Sequence, residues 1–253
     1  MSGELLAVHD LHRDFGGVRA VNGVTFAVEA GGITGLIGPN GAGKSTVLTM
    51  IGGSLAPTAG SIRLRSEELA GMSSHQIARR GVIRTFQISS EFPMLTVLEN
   101  LLVAAPNQHG ESLWRAIFMR RAWRKEETAS LVRARELLRR FGMAEKEDDY
   151  AGNLSGGQKR LLELGRALMA EPVILLLDEP MAGVNPSLSR RIEDHLLELR
   201  DEGMTMLMVE HELAVVERLC DPVVVMAHGR VIFQGSMEQV RSNEGVLDAY
   251  LAG

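Results

Sequence analysis

Gly38-Pro39-Asn40-Gly41-Ala42-Gly43-Lys44-Ser45 fits G-x-x-x-x-G-K-[ST] at every fixed position, the pattern of a loop that cradles the phosphates of a nucleoside triphosphate. The residues before it, ITGLI from Ile33 to Ile37, form an apolar run of strand length. The residues after it, STVLTMIGGSL from Ser45, place Val47, Leu48 and Ile51 on one helical face. Glycines at 38, 41 and 43 let the backbone turn tightly and aim several N–H groups inward. Those donors and the positive end of the next helix suit the β- and γ-phosphates. Lys44 adds a positive charge, and the Ser45 hydroxyl is a Mg²⁺ ligand. A strand–loop–helix frame around the motif argues against a glycine-rich turn matching by accident.

Working outward, the 253 residues are 45% hydrophobic, enough for one α/β domain or a core with a subdomain. A net charge of −5 argues against a general nucleic-acid binder. One cysteine, Cys220, excludes an intramolecular disulfide and fits a reducing compartment. The N-terminal MSGELLAVHDLHRDF lacks the apolar core of a signal peptide, and no apolar run is long enough for a transmembrane helix. Work at a membrane would therefore need a partner to take the chain there.

Strands are expected at Leu5–Leu11, Val24–Glu29 and Ile62–Leu64, with Gly16-Gly17 and Gly31-Gly32 as turns, and the texture changes after Val82–Phe86. From about Thr96 to Gly142 the pattern is helical, including one or two amphipathic helices over Trp114–Arg140. The α/β alternation then resumes: VILLL from Val173, a helix from Pro186 to about Glu202, MTMLMV from Met204, a helix from His211, then VVVM and RVIF. A helical insert thus divides a nucleotide-binding core. Its stretch from Trp114 to Phe141 holds nine Arg/Lys and three Glu, readable as a solvated face or as a face near anionic headgroups or an acidic loop.

Val173-Ile174-Leu175-Leu176-Leu177-Asp178-Glu179 is an apolar strand ending in two carboxylates. A buried parallel strand delivers its C-terminal end to the ligand crevice. Asp178 is placed to hold Mg²⁺ and Glu179 to orient or deprotonate an attacking water. Leu154-Ser155-Gly156-Gly157-Gln158 opens a second helix with a serine and two glycines, running through Lys159 to Met169, a second anion-binding helix start in one chain.

With these five residues in place the chain resembles the ATP-binding subunits of ABC transporters, over essentially its whole length. LSGGQ is that family's signature. The resemblance implies an α/β P-loop ABC ATPase core: a mixed sheet with flanking helices, an antiparallel N-terminal β subdomain and an inserted helical subdomain. Residues 1–88 and 160–253 would form the core and 89–159 the insert, within one ABC ATPase domain spanning 1–253. It implies ATP and Mg²⁺ as ligands, with residues 38–45 and Thr46 on the nucleotide. Leu154, Ser155, Gly156, Gly157 and Gln158 would close over ATP held by a second subunit. Phe15 stands where the family has an aromatic stacked on adenine. Gln87 in RTFQ matches the glutamine that touches Mg²⁺ and the attacking water. His211 in MVEHE matches the histidine on the γ-phosphate, and Glu210 beside it is read as non-catalytic.

Where the family usually reads S-A-L-D after the carboxylates, this chain has Ala182-Gly183-Val184-Asn185, which removes an acidic charge. That segment, the RTFQ…LTVLEN run, the basic insert and the C-terminal DAYLAG resemble the LivG-type branch of branched-chain amino acid importers. The partners implied are transmembrane permease subunits, seated near Gln87 to Leu95 (QISSEFPML), and a second ATPase, LivF-like or an identical copy. A secreted substrate-binding protein is implied indirectly, and no nucleic acid. The place implied is the cytoplasmic face of the membrane. Open alternatives are a urea or amide importer, a lipid or lipopolysaccharide exporter, and a non-transport ABC ATPase. A generic kinase or GTPase is disfavoured by LSGGQ and by the lack of a guanine-reading N-K-x-D.

Overall fold

The computed structural model describes residues 3–85, 91–106 and 120–246, with the side chains of 120–126 outside that description. Two compact units emerge. The first holds residues 3–84, 173–183 and 189–246; the second holds the described part of 85–172 together with 184–188.

The first unit carries two sheets. Strands β1 (Glu4–Phe15), β2 (Val18–Glu29), β4 (Ala59–Leu64) and β5 (Glu67–Glu68) form an antiparallel sheet in the order β2-β1-β4-β5. Its first hairpin outruns the sequence expectation at both ends of the turn. Pairing continues through the polar residues His12, Arg13 and Asp14 to Phe15 opposite Val18, because an antiparallel sheet with one wet face tolerates polar side chains.

The second sheet is β10-β9-β3-β8-β7-β6. It comprises β3 (Ile33–Ile37), β6 (Val82–Arg84), β7 (Ile174–Asp178), β8 (Thr205–Val209), β9 (Val223–Ala227) and β10 (Arg230–Gly235). All neighbours are parallel except β9 and β10. Every residue of β3, β7, β8 and β9 is buried, as expected for parallel strands covered on both faces. Leu36, Leu176, Leu207 and Val224 join Val47, Leu48 and Ile51 of α1 (Lys44–Ile51) in one core. Because β3, β7 and β8 run the same way, their C-terminal ends open on one edge.

Two helices are shorter than their sequence patterns suggest. α1 stops at Ile51 because Gly52-Gly53 follows; Gly53 takes φ 73° and a Cβ there would come within 2.6 Å of Ile77 Cδ1. The helix expected from His211 begins two residues later, as α7 (Leu213–Leu219). The Glu210 carboxylate accepts the amides of His211 (2.8 Å) and Glu212 (3.4 Å) and delays the first turn. The segment from Pro186 to Asp201 forms α6 and the short α2 (Ser74–Ala78) and α8 (Met237–Arg241) complete the set.

The second unit is helical: α3 (Val97–Val103), α4 (Arg120–Arg140) and α5 (Gly156–Met169). α5 packs on α3 and α4. Gly165 permits that approach, since a Cβ there would lie 3.0 Å from Leu101 and 3.4 Å from Phe141. Asn100 is fully buried, accepts the amide of Phe92 and donates to the carbonyls of Phe92 and Thr96, tying down the entry to α3. The described helical unit runs to residue 172, because α5 is one continuous helix packed on α3 and α4.

Candidate active site

The phosphate loop joins β3 to α1. Gly38 takes φ 146°, and a Cβ there would sit 2.0 Å from the carbonyl oxygen of Met226. Gly43 takes φ 99°, and a Cβ would sit 2.6 Å from Ala20 O. Both positions therefore exclude any side chain, on conformation and on space. Lys44 is 4% exposed, and its ammonium donates to Gly38 O (2.8 Å) and Pro39 O (2.9 Å), folding back over the loop. Burial pushes its pKa below the ordinary lysine value, and the charges of Glu179 and Asp178 oppose that push. Ser45 stays exposed at the head of α1, while its carbonyl accepts the Thr49 hydroxyl.

β7 lies beside β8 in parallel, so Asp178 is paired with Val209. Asp178 is 1% exposed. Its Oδ2 takes a guanidinium hydrogen bond from Arg84 Nη2, while its Oδ1 is buried without a partner. An orphaned carboxylate oxygen beside a phosphate loop is what a Mg²⁺ site needs, since that ion uses one or two protein oxygens and fills its shell with phosphates and water. Among the described residues no three His, Cys, Asp or Glu converge as a metal cage.

Glu179 has φ 48°, a left-handed conformation unusual for a residue with a Cβ and a mark of stored strain of about 1–3 kcal/mol. Its amide donates to Val209 O (2.9 Å), its carbonyl accepts the Ala182 amide (3.0 Å), and its carboxylate accepts from His211 Nε2 at 2.6 Å. Just beyond, Glu210 is 5% exposed and accepts the amide of Met181 as well as those of His211 and Glu212. One carboxylate thus ties the segment after β7 to the segment after β8. Sequence reading had set Glu210 aside as non-catalytic; its backbone-organising part follows from the sheet pairing rather than from any motif.

Phe15 lies at the β1–β2 hairpin, 46% exposed. The guanidinium of Arg13 lies over its ring, 4.7 Å from the centroid, and donates to Ala56 O. The ring is thus held in place while keeping exposed surface, as a stacking platform for a flat base requires. Gln87 lies outside the described residues, as do the rest of the QISSEFPML run before Glu91, the start of the Trp114–Arg140 pattern and the C-terminal DAYLAG.

In the second unit, Leu154 is buried and Ser155 caps α5. The Ser155 hydroxyl accepts the Gln158 amide (3.4 Å), and Gln158 Oε1 accepts the Ser155 amide (2.9 Å). The same reciprocal cap starts α2, α3 and α8 at Ser73, Thr96 and Ser236. The two glycines distinguish this helix start from the other three. A Cβ on Gly156 would meet nothing within 4 Å, so the first turn faces open space. Against Gly157 lies Leu188, whose Cδ2 occupies the place a Cβ would take. The substituted segment has a local explanation too: Asn185 caps α6, its Oδ1 accepting the Leu188 amide (3.0 Å) and the Ser187 hydroxyl (2.8 Å), with Pro186 in the first helical position.

Comparison with known proteins agrees with this geometry. Residues 21–182 match the ABC transporter family. The chain is 41% identical, over 99% of both sequences, to the high-affinity branched-chain amino acid transport ATP-binding protein LivG of Salmonella typhimurium. It is 40% identical, again over 99% of both, to BraF of Pseudomonas aeruginosa, which carries the same description. A crystal structure of the ADP conformation of an ATP-binding cassette of an ABC transporter superposes with a TM-score of 0.85, at 35% identity and covering 100% of both chains. A nucleotide-free cassette gives 0.84 at 36% identity, covering 98% of this chain and 99% of that one.

Proposed function

This chain belongs to the ABC transporter family as an ATP-binding, ATP-hydrolysing subunit, and we propose that it powers the import of branched-chain amino acids. The observation that carries the import reading is similarity over 99% of both chains to ATP-binding proteins of that transport class. Permease subunits are its membrane partners. A second ATPase, LivF-like or an identical copy, completes the pair at the cytoplasmic face, and a secreted binding protein delivers the substrate. Among the described residues no helix is long and apolar enough to cross a membrane, so the transported molecule is handled by the partners.

In the proposed reaction, the adenine of ATP stacks on Phe15 and the phosphates enter the loop of residues 38–46. There they exchange with the Gly38 and Pro39 carbonyls for the Lys44 ammonium. The Ser45 hydroxyl, Asp178 and Gln87 would hold Mg²⁺ beside the phosphates, where the ion would supply charge neutralisation for the transferring group. Glu179 accepts the proton of the attacking water, and His211, already hydrogen-bonded to that carboxylate, orients it and meets the γ-phosphate. The Glu179 backbone is left-handed, and the His211 hydrogen bond holds its carboxylate. Closure over ATP by Ser155, Gly156 and Gly157 of a second subunit pulls on the permeases, and loss of the γ-phosphate releases it.

Glu179→Gln removes the base and keeps the shape. Its turnover should fall by about a hundredfold or more, with ATP affinity by calorimetry unchanged. Undiminished steady-state hydrolysis would take Glu179 out of its role. For the cargo, a strain lacking this chain should lose uptake of labelled leucine or valine; loss of urea uptake with leucine uptake intact would move the chain to the amide-importing alternative.

A further inference from the structure

The Asp178 carboxylate is fully buried, and among the described residues Arg84 is its ion-pair partner. Arg84 Nη2 donates to Asp178 Oδ2, and Arg84 Nη1 donates to Thr49 Oγ1 (3.0 Å) on α1. Asp178 Oδ1 and Arg84 Nε are both buried without partners. The guanidinium therefore satisfies one oxygen of the carboxylate and leaves the other without a hydrogen bond. Neutralisation of this kind is needed because an isolated buried carboxylate is costly. The lysine of the loop is not hydrogen-bonded to it; its ammonium donates to Gly38 O and Pro39 O. Register explains the placement: Arg84 of β6 pairs with Leu176 of β7, two residues before Asp178.

We propose that Arg84 is a positioning residue that stands in for the divalent cation at Asp178. It holds the carboxylate in place when no metal is bound, and it competes for the same charge when the metal arrives. The inference rests on the nucleotide-site reading above. Two cations sharing one carboxylate in a poorly screened site weaken each other's hold, so Arg84 sets how tightly the nucleotide-loaded chain takes its metal. In this account the buried pair tunes metal exchange and is more than a structural salt bridge. A structural or purely orienting pair predicts the opposite sign, because its loss would loosen the metal ligand.

The test uses Mn²⁺ as the probe, with the full chain saturated with ADP at pH 8, and reads free Mn²⁺ by electron paramagnetic resonance. Arg84→Met keeps the aliphatic stem and removes the charge. Its ADP complex should bind Mn²⁺ about tenfold more tightly than the unaltered chain. Mn²⁺ affinity that is unchanged or weaker overturns the proposal. Should the variant not fold, the unaltered chain is crystallised with ADP in chelator and with ADP and Mg²⁺. Lengthening or loss of the Arg84–Asp178 contact in the metal-loaded crystal supports the competition, and an identical contact in both overturns it. An unaltered chain that fails to bind ADP at all would overturn the nucleotide reading itself, which the calorimetric titration of ADP separates from a failure confined to Arg84.

Discussion

Two helices of this chain begin in ways that suit an anion, and they are equipped differently. α1 starts from a loop with a buried lysine, two carboxylates nearby in the same unit and a histidine hydrogen-bonded to one of them. α5 starts from a serine and two glycines. Its first charged side chain, Lys159, is already paired with Glu91 at 2.7 Å. The first helix start can neutralise and transform a phosphate. The second offers only backbone donors and a helix dipole, worth about 0.3–1 kcal/mol. That is too little to hold a triphosphate alone, but enough to complete one that another molecule holds. In the proposed reaction binding and completion fall to different surfaces, and they should fail separately when mutated.

The largest expected effect is at the loop. Lys44→Ala removes the mobile charge and should weaken ATP binding by about 10- to 100-fold, the cost of a lost charged hydrogen bond. Unchanged affinity by calorimetry would erase the contrast, because the loop would then be no better equipped than α5. Next comes the signature helix. Gly156→Val adds a side chain where the fold leaves open space, so the solitary chain should keep its stability and its ATP affinity within about twofold. Turnover of the assembled pair should fall about tenfold, as a blocked approach costs more than about 1.4 kcal/mol. A drop in ATP affinity of the solitary chain would show that this surface binds on its own account. The smallest effect is at the hairpin: Phe15→Ala should weaken ATP binding by about three- to tenfold through lost stacking, with Mg²⁺ dependence unaltered. No change in a fluorescent ATP-analogue titration would reassign that ring to the fold.

The parts legible in the sequence are those written contiguously. The loop, its flanking strand and the Asp178-Glu179 pair each occupy a few consecutive residues, and β3 falls on the expected Ile33–Ile37. The Ser155–Gln158 spacing could equally be read as a capping box, and the structure shows that it is one; the paired glycines carry the rest of the message. Arg84 was not legible, because its contact crosses 94 positions and depends on the register of β6 against β7. The same holds for Glu210, whose reach to Met181 exists only because β7 and β8 are adjacent and parallel. Strand and helix ends were missed where polar side chains decide them, at His12–Phe15 and at Glu210.

The division of labour between the two helix starts is tested most directly by the ATPase rate per chain as concentration is raised, with light scattering on the same samples. The rate should be low while the chain is solitary and should climb with association, or on adding the partner ATPase if the pair is heterotypic. A solitary chain that hydrolyses ATP as fast as the assembled one would contradict the account.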